Sequence, residues 1–278
     1  MNAPIKPQRV STVMDVVRSR YITPHMIRVT LNAPEAAVIP ESIAGGHCKI
    51  MLPGPGQARQ AFADQFKGGP KPITRTYTIR NARPEACEID VDFVAHGDEG
   101  PASAWAARAK PGDFLGFAGP GLPKLTAFDA DFYLFAADMS AIPVVAAAIE
   151  ALPQDAVGLA VFETIGVDDR QEINAPPGIA QHWLIQSDPH IASTAQIEHI
   201  KSLPWPVGRV KTVIAGETGV IRALRWFLRG EKALDRSDVY ASGYWRIGLA
   251  EDQHQNVKRQ EADADEAMLA EKTRRQVG

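Results

Sequence analysis

Residues 75–80 read Arg75-Thr76-Tyr77-Thr78-Ile79-Arg80. On an extended strand Arg75, Tyr77 and Ile79 share one face, and Thr76, Thr78 and Arg80 share the other. A second strand pattern follows at residues 88–94, where Glu88, Asp90 and Asp92 alternate with Ile89, Val91 and Phe93. That period of two predicts a strand with one wet face. That second run extends over 87–95, and working outward, residues 9–17, 26–31, 47–52 and 113–118 are further short runs rich in Val, Ile, Thr or aromatics, separated by turn residues. About six short strands with Gly and Pro turns predict an antiparallel barrel or sandwich. Residues 53–72, with Gly54, Pro55, Gly56, Gly68, Gly69, Pro70 and Pro72, read as a long surface loop.

The texture changes after Gly119-Pro120-Gly121. Residues 131–137 form a short apolar run, and 143–152 follow as an Ala-rich helix pattern. Strand patterns recur at 156–164, 182–186, 210–215 and 238–242, with a helix at 218–228. Strands alternating with helices predict a mainly parallel, doubly wound α/β sheet. The boundary falls near 120–128, giving a β domain over 1–124 and an α/β domain over 125–250. Residues 251–278 form a third region, of which 251–275 lack Gly and Pro and are rich in Ala, Glu, Gln, Lys and Arg. That composition predicts a C-terminal helical extension.

The chain has 278 residues, a net charge of −3 and 45% hydrophobic residues. It is long enough for two ordinary domains, and without a basic excess nucleic acid is a poor partner. Cys48 and Cys87 are the only cysteines, and neither lies in a C-x-x-C. Iron–sulfur, zinc-knuckle and c-type haem sites therefore lack their ligands. A chain of this size does not require a disulfide between the two cysteines. The seven histidines include no H-E-x-x-H, and His47 beside Cys48 lacks two further ligands at recognisable spacing. No segment approaches the ~20 apolar residues of a membrane helix, and no apolar run opens the chain. The expectation is a cytoplasmic monomer without membrane insertion.

The chemistry begins with residues 75–80. A flavin nucleotide needs a cation for its pyrophosphate, a flat ring beside the isoalloxazine and polar groups at the N5 edge. Arg75, Tyr77 and Thr78 supply these within four residues. Taken alone, the same string also reads as a strand with surface arginines. Further on, Asp92-Phe93-Val94-Ala95-His96-Gly97 precedes Gly100-Pro101-Ala102-Ser103-Ala104-Trp105-Ala106. Small residues that open a short helix leave N–H groups free, and such a terminus accepts phosphate. By itself this helix also reads as a capped connector.

In order, RTYTIR (75–80), DVDFVAHG (90–97), GPASAWA (100–106), PGD (111–113), AGE (215–217), RALRWFL (222–228) and SGYWRIG (242–248) resemble the siderophore-interacting protein family. The matches span most of the chain, and SGYWRIG is the most distinctive. The resemblance implies an N-terminal FAD-binding antiparallel β-barrel followed by an NAD(P)H-binding α/β domain. It implies FAD contacts at Arg75, Thr76, Tyr77 and Thr78, and at Val94, His96, Gly100, Pro101, Ala102, Ser103 and Trp105. Tyr244 and Trp245 would approach the cofactor from the C-terminal half. Asp138 and Ser140 match a stretch at the start of the nucleotide domain, with Met139 where relatives carry an acid. Lys49 and Arg246 match positions that dock a ferric siderophore, and Lys258 and Arg259 would extend that basic patch. Lys49 on its own also reads as the edge-blocking lysine of an outer strand.

The implied activity is ferric-siderophore reduction. Electrons would pass from NAD(P)H through FAD to Fe(III), with no acid–base side chain required and Fe(II) released. No G-x-G-x-x-G occurs in the chain, so reduced ferredoxin is the alternative donor. The alternative functions are an iron-handling flavoprotein without turnover and a general flavin or ferredoxin reductase with another acceptor.

Overall fold

The computed structural model describes residues 7–97 and 100–249. The extension expected over 251–278, including Lys258 and Arg259, lies outside the described residues. The chain folds as two compact units that divide between Thr126 and Ala127, with Ala146–Ala148 grouped with the first.

The first unit is a closed six-stranded barrel. Its strands are β1 (Val10–Thr23), β2 (Met26–Asn32), β3 (His47–Leu52), β4 (Ile73–Arg83), β5 (Glu88–Val94) and β6 (Phe114–Gly119). They close in the order β1-β2-β5-β4-β3-β6, every pair antiparallel. Closure leaves no free sheet edge. Inward-facing Ile27, Val29, Leu31, Ile50, Ile79, Ile89, Val91, Phe93, Leu115 and Phe117 fill the interior. Cys48 is buried among them as a free thiol, and burial pushes its pKa up to about 12.

Two expectations fail in this unit. Residues 53–72 are not a continuous loop, because Arg59–Gly68 forms helix α1. Phe62 is fully buried there, with its ring centroid 5.7 Å from that of Phe114. Arg59 grips Asp15 through two bonds of 2.7 and 2.9 Å. The flanking Gly and Pro residues mask a Phe62/Phe66 pair at helical spacing. The acidic face of β5 is also not wet, since Asp90 and Asp92 are only 4% and 5% exposed. Asp92 sits opposite Arg28 on β2 and receives two 2.7 Å bonds from it. Asp90 receives two 2.7 Å bonds from Arg83 and one of 2.6 Å from Thr30. The strand alternates as its sequence predicts, but long arginine stems cover the polar face.

The second unit is a five-stranded parallel sheet in the order β11-β10-β7-β8-β9. Its strands are β7 (Phe132–Asp138), β8 (Val157–Thr164), β9 (Gly178–Ile185), β10 (Val210–Glu217) and β11 (Val239–Trp245). Helix α3 (Ile142–Glu150) links β7 to β8, and α4 (Ala195–Ser202) precedes β10. Helix α5 (Thr218–Arg225) continues as a π-helical turn over Trp226–Glu231. The sequence pattern does not predict α4; Gln196, which is buried, anchors it by donating 2.9 Å to the Ala137 carbonyl. Leu134, Ala136, Val161, Ile214, Ile221 and Leu224 form the core of one sheet face. Among the described residues no helix is long and apolar enough to cross a membrane.

Candidate functional site

In the barrel the site is built on β4 and its neighbour β3. The register sets His47 opposite Thr78, Cys48 opposite Tyr77 and Lys49 opposite Thr76. Lys49 Nζ donates 2.5 Å to Thr76 Oγ1, so the exposed lysine head is held beside the strand that carries Arg75 and Tyr77. Arg75 is half-buried and donates 3.0 Å to the Thr74 carbonyl. Thr78 is buried.

Tyr77 is half-buried, and its ring packs on Phe93 of β5 at 4.4 Å between centroids. Phe93 in turn meets Trp105 at 5.9 Å. This aromatic line connects the first motif to the second. Helix α2 (Pro101–Arg108) starts at Gly100, with proline in its first turn. Proline suits that place because its missing N–H would have no helical partner. Val94 ends β5, and three residues later the chain turns at Gly97 with φ +86°. The His96 backbone N–H donates 3.1 Å to Ser103 Oγ, which ties the strand exit to the helix start. A Cβ on Gly100 would lie 2.4 Å from His96 Cε1, so glycine is what lets the imidazole approach. Ala102 and Ser103 are buried, and the helix entrance is lined by small side chains.

A feature that the motifs do not reveal lies beside Lys49. Lys124 Nζ is 3.2 Å from His47 Nδ1. Burial lowers the His47 pKa, and the charges of Lys124, Lys49 and Arg9 lower it further. Burial likewise lowers the pKa of Lys124. Arg9, Lys49 and Lys124 therefore make a cationic surface around the His47 ring on the barrel. Glycines make its packing fit, because a Cβ on Gly121 would collide with the His47 ring at 1.9 Å. No pattern of spacing marks Lys124 in the sequence, since it joins His47 only through barrel closure.

In the α/β unit, Asp138 ends β7 and is held entirely by protein donors. Its Oδ1 accepts from Ser140 N at 2.9 Å and Ser140 Oγ at 2.6 Å. Its Oδ2 accepts from Glu217 N and from Trp245 Nε1, both at 2.7 Å. Burial raises its pKa, against the pull of these bonds. Gly216, with φ +145°, passes so close that a Cβ there would lie 2.6 Å from Asp138 Oδ2. The β11 end is pinned twice more, by Thr218 Oγ1 to the Trp245 carbonyl at 2.8 Å and by Ile247 N to Glu217 Oε1 at 3.4 Å. Tyr244 and Arg246 flank this fixed tryptophan and are half-buried.

The structure thus joins Lys49, Arg75, Thr76, Tyr77 and Thr78 on neighbouring strands, and Val94, His96, Gly100, Pro101, Ala102, Ser103 and Trp105 around α2. Asp138, Ser140 and Trp245 form a separate cluster in the second unit.

Comparison with known proteins agrees with this architecture. Residues 15–124 match the model for the siderophore-interacting FAD-binding domain, and residues 130–248 match that for siderophore-interacting protein. The ferric vibriobactin reductase ViuB of Vibrio cholerae is 33% identical over 249 residues, covering 86% of this chain and 91% of that protein. The crystal structure of the siderophore-interacting protein SipS from Aeromonas hydrophila superposes with a TM-score of 0.80 at 36% identity, covering 91% and 98% of the two chains. A ferredoxin reductase of carbazole 1,9a-dioxygenase shares the fold at 15% identity, with a TM-score of 0.62 over 85% of this chain and 70% of that one. A six-stranded barrel with the R-x-Y-T strand, followed by a parallel α/β sheet and matched along nearly its whole length by these relatives, places the chain in the siderophore-interacting protein family, with a ferredoxin-reductase-like fold.

Proposed function

We propose that the chain is an FAD-dependent reductase of ferric siderophores, taking electrons from NAD(P)H and releasing Fe(II). The observation that carries this reading is the Lys49–Thr76 bond. It holds a cation on the face of β4 that carries Thr76 and Thr78, so that an anion-docking surface and the flavin motif share two adjacent strands. The naming of a 33%-identical relative as a ferric vibriobactin reductase supports the same reading.

The residues present fit FAD. Arg75 supplies the cation for the pyrophosphate, and Tyr77, held against Phe93, supplies a flat surface. The start of α2 supplies backbone N–H groups without helical partners, lined by Ala102 and Ser103. The narrow approach of His96 to Gly100 completes a small-residue cradle. Bound FAD would supply the conversion between a two-electron hydride donor and a one-electron Fe(III) acceptor. One hydride thus balances two ferric ions, and the proton left from it passes to solution. The protein's own work is to bind and orient. Lys49 and Lys124 attract an oxygen-rich anionic chelate, and the family resemblance gives Arg246 a docking role as well. Asp138 fixes Trp245 and so positions Tyr244 and Arg246 on either side of it.

The test is a visible spectrum of the purified protein, followed anaerobically as NADH, NADPH, reduced ferredoxin and then a ferric siderophore are added. Bleaching of the flavin by a nicotinamide, with recovery as Fe(II) forms, is the expected result. Bleaching by ferredoxin alone would move the donor assignment to that protein. A flavin that stays oxidised with every donor would overturn the reductase in favour of an iron-handling flavoprotein.

A further inference from the structure

The parallel sheet of the second unit has a topological switch. From β7 the chain passes through α3 to β8 and then β9 on one side, and afterwards returns to β10 and β11 on the other. Sheets of this kind bind ligands beyond the carboxyl ends of their strands at the switch. In dinucleotide-binding versions, an acid about 20 residues beyond the first strand–helix turn accepts from the ribose 2′-hydroxyl, whereas an arginine nearby accommodates a 2′-phosphate.

Here β8 ends in Phe162-Glu163-Thr164, with Glu163 in register with Asp138 of β7 and Leu184 of β9. Ser193 Oγ donates 2.6 Å to Glu163 Oε2 and itself accepts 3.2 Å from Ala195 N, so the carboxylate is tied to the start of α4. Glu163 Oε1 has no hydrogen-bond partner among the described residues. Burial pushes the Glu163 pKa up, the Ser193 bond pulls it down, and the charge of Asp138 adds to the rise. A half-buried carboxylate with one unfilled oxygen gains from O–H donors and loses from added negative charge.

The loop after β8 adds to this bias. Asp168 is exposed, and buried Asp169 accepts from Gly166 N at 3.0 Å, shaping the turn. The first basic residue along it is Arg170, which directly follows these two acids. Exposed apolar side chains suited to an adenine ring occur in the same region: Val167 after β8, Ile185 at the end of β9 and Ile191 in the segment that follows.

We infer that Glu163 holds the adenine-ribose diol of a dinucleotide and excludes a 2′-phosphate, so that the unit takes NADH in preference to NADPH. The inference rests on the nicotinamide-donor reading proposed above.

Calorimetry on the full FAD-loaded protein with ADP-ribose and with 2′-phospho-ADP-ribose tests it without any electron transfer. ADP-ribose should bind about tenfold tighter or better, the scale of a charge-assisted hydrogen bond. Glu163→Gln, which keeps an acceptor for Ser193, should narrow that preference to about threefold or less through loss of the charge. Its unchanged circular dichroism and flavin content would show that the fold survives. Equal or tighter binding of the 2′-phosphate form, or an undiminished preference in Glu163→Gln, would overturn the role of Glu163 while leaving the donor reading in place. Binding of neither probe at millimolar concentration would remove the nicotinamide-donor reading itself, and this role with it.

Discussion

Trp245 Nε1 and Asp138 Oδ2 meet at 2.7 Å across 107 residues of chain. The same carboxylate also accepts from Ser140 and Glu217, so the most distinctive motif of the sequence is fastened to the first strand of its sheet. Asp138→Ala leaves several donors unmatched and should cost about 3 kcal/mol, whereas Trp245→Phe removes one bond and should cost about 1 kcal/mol. Thermal unfolding followed by circular dichroism separates the two. A Tm for Asp138→Ala no lower than that of Trp245→Phe would show that the carboxylate is not the anchor.

The barrel carries its own acid-sensitive lock. Burial would raise the Asp90 pKa, but hydrogen bonds from Arg83, Thr30 and Asn81, with the charge of Arg83, hold it down at about 2. A carboxylate depressed in the folded state stabilises above its unfolded pKa, and that stability is lost as pH falls through the folded one. The window here runs from about pH 4 down to about pH 2. Allowing for solvent screening, the contribution is about 1–2 kcal/mol. Arg83→Ala should therefore unfold at a higher pH in an acid titration monitored by circular dichroism, and an unmoved acid midpoint would remove Arg83 from this role.

His47 reports on the cationic surface. Its pKa is lowered first by burial and then by Lys124, Lys49 and Arg9. A histidine depressed on folding is favoured neutral, so its contribution to stability is present above about pH 6.5 and is lost as pH falls. Lys124→Ala should move the His47 titration upward, towards its ordinary value, in an NMR pH series. A downward move would mean that Lys124 does not act on the ring through its charge.

Flavin retention and substrate docking should respond to different residues. Arg75→Ala should lower flavin occupancy, read from the visible-to-ultraviolet absorbance ratio. Lys49→Ala combined with Arg246→Ala should weaken binding of a ferric siderophore by about tenfold or more while FAD stays bound, as expected when charge-assisted contacts are lost. Unchanged occupancy in the first variant, or unchanged affinity in the second, would withdraw those residues from their roles.

Local pattern determined a great deal about this protein. Period-two alternation marked the barrel strands, strand–helix alternation marked the parallel sheet, and the ordered motifs marked the family, because each depends on neighbours within a few residues. Helix α1 escapes that reading because Gly and Pro surround it and its stability comes from Phe62 meeting Phe114 and Arg59 meeting Asp15. The burial of Asp90 and Asp92 escapes it because alternation tells which face a side chain takes, not what covers that face. Their covering arginines come from β2 and β4. Lys124 beside His47, and Asp138 beneath Trp245, were decided by tertiary structure alone. Barrel closure and a parallel crossover bring together residues that no spacing links, and only there do burial and charge set what each group can do.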